Sequence, residues 1–563
     1  MNAASNTRPP GLPPWAGLRR WLAAGAGLIA ALGAGAQPDV ATEMPLRGVV
    51  LRQALQDFVP AGVETPGLDL AAAPVVAADA AFQTKATALL GQPITLALLH
   101  ELTAEVVLAY RRAGRPLADA AVPEQNISTG TVQVIILEAH LGTVKVEGAR
   151  YFSAERIQAA LRTQPGEPLY AGTLFSDLDW LNKNPFRRVD LVYERGRDLG
   201  TTDVVLRVTE RRPWQAFAGY DNENVAALGR DRWFAGVRAG NLWGAEHQLN
   251  LLYTQGRDAA EYRGIAADYT VPLRWRHLVT VNAAFAEPNV DGPTFDSAGR
   301  SWRLGLRYAG ELPRTRLWEI DWAAGYEIRS SDNDILFGGT SVFSSAYQTH
   351  EFLAEIAARR PGPAGESTLK AAVYLSPGGI GPRNASADLS AGGRSRIGAR
   401  YAYLDLGASH RVALPRAYAL SLAASARLTG DRLPPSSEFA LGGANTMPGY
   451  SEATVLGDSA VWAQAKLQTP VWHVFRRQEQ ASADAVRFSA SYNLGRVWLT
   501  DRTPVEAAQG LREQRQLESI GLGVNYEFSR HLQVAFTYGW QLRPPAPGVG
   551  RSSRGHVSAV LNF

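Results

Sequence analysis

The sequence lacks cysteine entirely, and its 563 residues include only nine histidines. Without thiols the chain has no disulfide framework, no thiolate metal site and no cysteine nucleophile. The few scattered histidines leave little material for a zinc site or a catalytic triad. These absences argue against an enzyme, and we expect no catalytic residue, no cofactor and no metal ion.

An excess of one charge is also missing. The chain has 57 Lys+Arg against 53 Asp+Glu, a net charge of +4, without a long basic run. Proteins that bind nucleic acid usually carry a clustered basic surface. Nucleic acid is therefore not an expected partner.

Long hydrophobic runs are rare, and the main one lies near the start. Arg19 and Arg20 precede an apolar stretch from Trp21 to Leu32, and the small residues Ala34-Gly35-Ala36 follow it. This order predicts an export signal over residues 1–36, since a helical anchor, the alternative, needs about 20 apolar residues. No later stretch reaches about 18 consecutive apolar residues, which excludes helical spans there. Export without cysteine suits a protein of the bacterial envelope.

Before Pro213 the sequence mixes helical and strand patterns. The order strand, helix, helix, strand, strand can be read from 139 to 212, with Ser153 as the N-cap of the first helix. A less clear copy occupies 45–138, in which the segment 53–81 has no assignment. Its helical stripe consists of Leu98, Leu102, Val106 and Tyr110, and its final strand carries Val132, Val134 and Ile136.

Two carboxylates of the second copy, Asp177 and Asp179, are close enough in sequence to suggest an acid pair. A helical pattern surrounds them, and charged residues on a helix usually face solvent. We interpret both as solvated helix-surface residues.

From Trp214 onward the period is two. In one stretch the apolar side carries Trp318, Ile320, Trp322, Ala324, Tyr326 and Ile328, and the other side carries Glu319, Asp321, Ala323, Gly325, Glu327 and Arg329. A soluble sandwich, a propeller or a β-solenoid would hide its apolar faces in a core. Aromatics near the strand ends of the apolar face, opposite a charged face, favour a transmembrane barrel instead.

The barrel region has room for about sixteen strands and for long loops. Segments rich in Pro and Gly predict large loops around 361–365, 377–395 and 434–457. The alternation continues to the last residue, Phe563, so we expect the barrel to close with its final strand.

The chain resembles the outer-membrane transporters of two-partner secretion, the haemolysin and filamentous-haemagglutinin secretion/activation proteins. Two αβ repeats of the POTRA type precede a barrel that ends in phenylalanine, the terminal barrel signal of that superfamily. Five short strings agree in order and spacing: Val122-Pro123-Glu124-Gln125, Leu181-Asn182-Lys183-Asn184-Pro185, Gly200-Thr201-Thr202-Asp203, Asp221-Asn222 and Gly240-Asn241-Leu242-Trp243-Gly244. By themselves these strings are typical of turns and helix ends, because Asn-Pro stops a helix and Gly-Asn favours a turn.

The resemblance implies an α+β part with two periplasmic POTRA repeats and an all-β antiparallel transmembrane barrel, with sixteen strands expected. The domains it implies are a signal peptide over 1–36, POTRA 1 over 45–138, POTRA 2 over 139–212 and a barrel over 214–563. A loop near 434–457 is expected to fold into the barrel. The implied location is the bacterial outer membrane.

The inward loop of this family carries a Val-Arg-Gly-Phe/Tyr tip whose arginine meets an acidic residue of a barrel strand. The matching residues here are Met447-Pro448-Gly449-Tyr450, followed by Gly457-Asp458, and the strand motif matches Asn493 and Gly495. Pro448 stands in the place of the arginine and Asn493 in that of the aspartate. The ion pair is absent as a whole, which avoids leaving one buried charge without its partner.

The resemblance implies a passive pore that exports a large secreted polypeptide, such as an adhesin or a cytolysin. POTRA sheet edges would capture the unfolded partner by strand addition. Outer-membrane lipid and, during biogenesis, the barrel-assembly machinery are the other expected partners. The charged face of the barrel strands supplies candidate pore-lining residues: Arg303, Arg307, Glu319, Asp321, Glu327 and Arg329. The alternatives are an assembly or insertion factor of the same superfamily and a general porin.

The two departures at the loop tip lead to a prediction. Pro448→Arg alone will leave an unpaired guanidinium and destabilise the barrel more than Pro448→Arg combined with Asn493→Asp, which restores the family's pair. The temperature at which the electrophoretic mobility shifts from the folded to the unfolded form compares the two variants. Equal temperatures would contradict the pairing.

Overall fold

The computed structural model describes residues 44–563 except 199, 226–227, 291–295, 314, 316, 338–339, 363–364, 393, 476–483 and 509. The predicted signal segment, 1–36, lies outside the described residues. The chain divides into two compact units. The first comprises the residues up to Thr143 with Thr163–Ala171 and Arg195–Asp203, and the second comprises Val144–Arg162, Gly172–Glu194 and Val204–Phe563. The predicted domain boundaries at 138/139 and 212/214 stay predictions.

The first αβ repeat contains a four-stranded sheet in the order β2-β1-β4-β3. A short 3-10 helix, Leu55–Asp57, lies between its first two strands. The elements are β1 (Gly48–Arg52), β2 (Gly67–Asp69), α1 (Pro74–Ala77), α2 (Ala80–Leu89), α3 (Leu96–Arg112), β3 (Ala118–Ala121) and β4 (Thr131–Glu138).

The predicted helical stripe and final strand of this repeat are confirmed in α3 and β4. Helix α3 begins after Thr95, whose hydroxyl accepts a hydrogen bond from the amide of Leu98 (3.1 Å). The stripe packs into a core with Val76 and Phe82, both fully buried. These two residues belong to helices too short or too rich in alanine for a periodicity argument, which explains why 53–81 had no assignment.

The second αβ repeat has the predicted order of strand, helix, helix, strand, strand. Its elements are β5 (His140–Glu147), α4 (Ala154–Ala159), α5 (Ala171–Leu181), β6 (Arg187–Arg195) and β7 (Thr201–Glu210), and its strand order is β5-β7-β6. Ser153 is confirmed as an N-cap, since its hydroxyl accepts a hydrogen bond from the amide of Arg156 (3.1 Å). Within the described residues, no helix has the length and apolarity needed to cross a membrane.

The remaining strands confirm the predicted fold class: sixteen of them form a closed barrel with antiparallel neighbours. Two further short strands, β19 and β20, form a separate hairpin. The strands are β8 (Trp214–Asp221), β9 (Arg232–Leu242), β10 (His247–Gln255), β11 (Tyr262–Pro272), β12 (Leu278–Val290), β13 (Asp296–Glu311), β14 (Glu319–Phe337), β15 (Thr340–Gly362), β16 (Gly365–Ser376), β17 (Tyr401–Ala413), β18 (Ala419–Leu428), β19 (Phe439–Leu441), β20 (Val455–Gly457), β21 (Ser459–Gln468), β22 (Asp484–Trp498), β23 (Gln514–Phe528), β24 (Leu532–Gln541) and β25 (Ser553–Asn562).

The loop predictions have mixed outcomes. The segments 377–395 and 434–457 lie in long connections, the first of which contains α6 (Ser386–Ala391). The prediction of a large loop at 361–365 is wrong, because β15 and β16 continue into it and pair Pro361 with Glu366 and Gly362 with Gly365. Proline is tolerated at the end of a strand, so its presence did not require a loop.

The interpretation of Asp177 as a solvated residue is wrong. Its side chain is fully buried and lies 2.7 Å from guanidinium nitrogens of both Arg162 and Arg276. Arg276 belongs to the turn between β11 and β12, far away in the sequence. Helical periodicity identifies a polar position, but it contains no information about a barrel turn that covers it.

Two of the family strings meet in one contact between the second repeat and the barrel. The side-chain amide of Asn184 donates to the carbonyl of Gly240 (2.6 Å), and that of Asn241 donates to the carbonyl of Tyr151 (2.8 Å). Arg187 and Glu246 add a bidentate ion pair beside them. These strings are therefore more than local turn signals, because they form opposite sides of one interface.

We predict that Asp177→Asn loosens the second repeat from the barrel. The loss of charge leaves Arg276, a mostly buried guanidinium, without its carboxylate, at a cost of about 3 kcal/mol. Limited trypsin digestion should cut the variant faster than the parent between the repeat and the barrel. The control is Asp190→Asn, whose partner Arg188 is exposed; equal digestion of both variants would contradict the prediction.

Candidate functional site

The connection between β18 and β21, residues 429–458, is the candidate functional element, and we call it the inward loop. It contains the β19–β20 hairpin and the predicted tip, Met447–Tyr450. Met447 and Tyr450 are fully buried, and they pack together with Val497 of β22 and Leu517 of β23. The loop thus lies against the barrel strands, and water does not reach its tip.

Uncharged groups hold the tip in place. The amide of Gly449 donates to Nε2 of His556 (3.2 Å), and its carbonyl accepts from the side chain of Gln541 (2.8 Å). The hydroxyl of Tyr450 donates to the carbonyl of Arg543 (2.6 Å) and also lies 3.0 Å from the carbonyl oxygen of Glu518. These bonds attach the tip to β23, β24 and β25 without an ion pair.

Glycines on both sides let the tip approach the strands. Gly449 has a φ of +96°, a backbone conformation that residues other than glycine rarely adopt. A Cβ atom on Gly539 of β24 would lie 2.2 Å from the amide nitrogen of Gly449 and from the carbonyl carbon of Pro448. A Cβ on Gly521 of β23 would lie 3.2 Å from Cβ of Pro448. The strands therefore form a notch for the backbone of the tip.

Asn493, the predicted strand partner, is fully buried, but it bonds to strand residues. Its Oδ1 accepts from the side chain of Gln464 (2.7 Å), and its Nδ2 donates to Ser491 Oγ (3.2 Å). Gly495 leaves space for the loop, because a Cβ there would lie 2.7 Å from Leu441 Cδ1. Within the described part of the chain, no hydrogen bond joins Asn493 to the tip, and its role as tip partner stays a prediction.

The base of the inward loop is held by a charged cluster that sequence reasoning missed. Glu351 of β15, 1% exposed, accepts hydrogen bonds from Ser437 (2.6 Å), Tyr401 (2.9 Å) and Tyr403 (3.1 Å). Arg329 lies 3.4 Å from the same carboxylate and donates to the carbonyl of Ser436 (2.8 Å). Only the register of β14, β15 and β17 brings these residues together, so no local pattern could have shown it.

A second cluster joins the inward loop to the two loops beside it. Arg394 lies 2.6 Å from Glu438, 2.8 Å from Asp458 and 3.0 Å from Glu506, which belongs to α7 (Pro504–Ala508). Arg432 lies 2.7 Å from Glu506. Burial alone would raise the pKa of Glu506, but hydrogen bonds from Arg432, the Thr503 amide and Arg394 outweigh it and lower the pKa to about 2. Glu506 therefore stays ionised near neutral pH.

Most of the predicted pore-lining residues are engaged in ion pairs. Arg307 lies 2.6 Å from Glu355, and Arg303 is exposed. The other pairs are Glu319 with Arg359 (3.4 Å), Asp321 with Lys183 (3.6 Å) and Glu327 with Arg329. Their role in a pore stays a prediction, but five of the six are bound to an opposite charge.

The predicted POTRA motif residues and Phe563 make local structural contacts. The side-chain nitrogen of Gln125 donates to the carbonyl of Gln133, and its side-chain oxygen accepts from the amide of Gln133 (2.8 Å each). Glu124 is exposed. The carbonyls of Pro123 and Pro185 accept side-chain hydrogen bonds from Gln125 and Arg211. The amide of Phe563 donates to the carbonyl of Ala216 (2.9 Å). In the described ranges, no group of three or more His, Asp or Glu side chains is placed to hold a metal ion.

The seam between β25 and β8 closes the barrel with five residue pairs, fewer than join any other neighbouring barrel strands in the described chain. Asn222, from the string Asp221-Asn222, extends this seam. Its side chain accepts from the amide of Val557 (2.9 Å) and donates to the carbonyl of Gly555 (2.9 Å). A side-chain amide thus continues the backbone ladder beyond the end of β8.

Comparison with known families supports this architecture. Residues 200–526 match the family described as haemolysin secretion/activation protein ShlB/FhaC/HecB. Residues 66–139 match the ShlB-type POTRA domain.

Individual proteins show the same relationship. The chain is 24% identical over 222 residues to the heme/hemopexin transporter protein HuxB of Haemophilus influenzae (strain 86-028NP), covering 38% of this chain and 39% of that protein. It is 24% identical over 243 residues to the outer membrane transporter CdiB-2 of Burkholderia pseudomallei (strain 1026b), covering 41% and 40%. The matches thus span about two fifths of these curated relatives.

Solved structures share the fold over nearly the whole chain. CdiB from Escherichia coli has a TM-score of 0.72 at 17% identity, covering 94% of this chain and 92% of its own. CdiB from Acinetobacter baumannii has a TM-score of 0.63 at 14% identity, covering 98% of each chain.

We predict that Gly539→Ala displaces the tip of the inward loop. The methyl group would overlap the backbone of the tip, and such overpacking costs about 1–3 kcal/mol. Single-channel conductance in planar bilayers should rise or fluctuate more than in the parent. Gly407→Ala is the control, since a Cβ there meets only Lys370 Cβ at 3.7 Å, an ordinary contact. Identical traces for both variants would contradict the prediction.

Proposed function

The chain belongs to the haemolysin secretion/activation family ShlB/FhaC/HecB, and on this premise we propose that it exports a large polypeptide partner across the bacterial outer membrane. Membership of this family places the barrel in the outer membrane and the POTRA repeats in the periplasm. The observation that carries the proposal is the inward loop, which polar contacts hold inside a closed barrel of sixteen strands. Barrels of this size enclose an aqueous channel, and the loop regulates access to it.

The αβ repeats supply the capture step. Each sheet ends in edge strands, β2 and β3 in the first and β5 and β6 in the second. An edge strand can bind an extended segment through main-chain hydrogen bonds, which give affinity, while pockets for alternate side chains give selectivity. The partner is a secreted polypeptide such as an adhesin or a cytolysin, and we assign the chain no catalytic role.

Transport in this mechanism is passive. The sequence contains no phosphate-binding loop of the GxxxxGK[ST] type, so nucleotide hydrolysis by this chain does not supply the energy. Folding of the partner outside the cell makes its passage irreversible. Lipid of the outer membrane surrounds the apolar face, and the barrel-assembly machinery inserts the chain during biogenesis.

An assembly or insertion factor of the same superfamily is the second candidate function. The short seam between β25 and β8 favours it, because a lateral opening for nascent barrels would need few bonds to break. A general porin is the less favoured alternative, since diffusion of small solutes through a porin does not require two αβ repeats.

Conductance and transport measured on the purified full chain test the proposal. We expect a channel in planar bilayers that a candidate secreted partner blocks from the POTRA side, while an unrelated unfolded polypeptide of equal length does not. Free passage of small solutes without an effect of any partner would favour a porin. Insertion of a nascent barrel protein into liposomes, without block by any secreted partner, would favour the assembly factor.

A further inference from the structure

One sector of the barrel wall differs from the rest. We call the inward-facing residues Arg238, Asn250, Asp268 and Asn282, on β9, β10, β11 and β12, the open wall. The register places each directly opposite the next, as the pairs Arg238–Asn250, Asn250–Asp268 and Asp268–Asn282 show. The four side chains therefore form one polar row across four neighbouring strands.

The residues adjacent in sequence show to which face of the sheet the side chains of the row point. Val237, Leu251 and Val281 are exposed apolar residues on the lipid-facing side of their strands. Successive side chains of a strand point to opposite faces. Arg238, Asn250 and Asn282, each adjacent to one of them, therefore point into the barrel.

Water reaches three of the four residues of this row although the row lies inside the barrel. Arg238, Asn250 and Asp268 are exposed, whereas Asn493 and Ser519, which face inward on the opposite side, are fully buried. The difference has a visible cause, because the inward loop covers the strands around Asn493 and Ser519.

The contacts of the inward loop explain this asymmetry. The base bonds to β14, β15, β17 and β18, and the tip bonds to β21, β23, β24 and β25. Within the described ranges, no hydrogen bond joins the loop to any strand from β9 to β13. As far as the described residues show, the loop therefore leaves the part of the lumen next to the open wall unoccupied.

The chemistry of the open wall suits an extended polypeptide. Asn250 offers a donor and an acceptor, the two groups that an unpaired peptide backbone needs, whereas the Oδ1 atom of Asn282 is buried. Arg238 and Asp268 add one charge of each sign, so the row attracts neither acidic nor basic segments strongly. A single hydrogen bond exchanged with water is worth only about 1 kcal/mol, which permits the chain to slide.

We propose that the open wall is the surface that the exported polypeptide contacts in the lumen, and that the polypeptide passes in extended form between this wall and the inward loop. This inference rests on the proposed export function and assigns a place to its substrate. The base cluster around Glu351 and the tip notch at Gly539 stay intact during passage.

Single-cysteine variants test the proposal, because the natural chain contains no thiol. Asn250→Cys and Asp268→Cys, at two exposed positions, lie on the open wall, and Ser519→Cys is the matched control under the loop. Each full-length variant is treated with 2-sulfonatoethyl methanethiosulfonate in planar bilayers. Heat-modified mobility establishes that each variant is folded.

We expect the reagent to reduce conductance at both open-wall positions by about half, since the added group narrows a lumen already shared with the loop. At Ser519→Cys it should have no effect. Loss of conductance at Ser519→Cys alone would overturn the proposal, because the aqueous path would then run along the covered wall.

A second readout concerns the polypeptide itself. An unfolded Ser/Thr/Asn-rich peptide, whose one cysteine carries a 2-thiopyridyl disulfide, is added from the POTRA side. It should form a disulfide with Asn250→Cys by exchange, with release of pyridine-2-thione, and not with Ser519→Cys. Crosslinking to Ser519→Cys instead would overturn the placement while leaving export intact. If the open wall reacts with the small reagent but no peptide or secreted partner enters, the export function fails and the open wall is an ion path only.

Discussion

Backbone amides and carbonyls that cross the hydrocarbon of a membrane must find hydrogen-bond partners in the protein, because no water is available there. In this chain a closed sheet of sixteen strands meets that requirement, and every strand has two neighbours. The requirement is hardest to meet where the first and last strands join. There β8 ends early, and the side chain of Asn222 continues the ladder to Gly555 and Val557.

Closure of the sheet creates a lumen, and the inward loop determines how that lumen is used. Glycines of the strands and neutral hydrogen bonds hold the tip of the loop. Glu351 and Arg329 hold its base, and Arg394 links it to the two adjacent loops. The tip residues Met447–Tyr450 carry no charge, and the lock is distributed over many contacts. A distributed lock can yield at one point without releasing the whole loop.

Local patterns in the sequence were sufficient for the fold and insufficient for the site. Alternation from Trp214 onward predicted the barrel, and the stripe from Leu98 to Tyr110 predicted α3, because such periodicities are local. Asp177, Glu351 and Arg394 were missed, since each acquires its role from a partner in a distant turn, strand or loop. The turn at 361–365 was also misjudged, because Pro and Gly mark the end of a strand as readily as a long loop.

The lengths of β14 and β15, 19 and 23 residues, exceed the 9 to 11 residues or so that a tilted strand needs to cross the hydrocarbon. Both strands therefore extend beyond the hydrocarbon at the rim of the barrel where β14 ends and β15 begins. Main-chain hydrogen bonds between the two strands continue up to the pair of Phe337 and Thr340, so this extension keeps its shape without lipid around it.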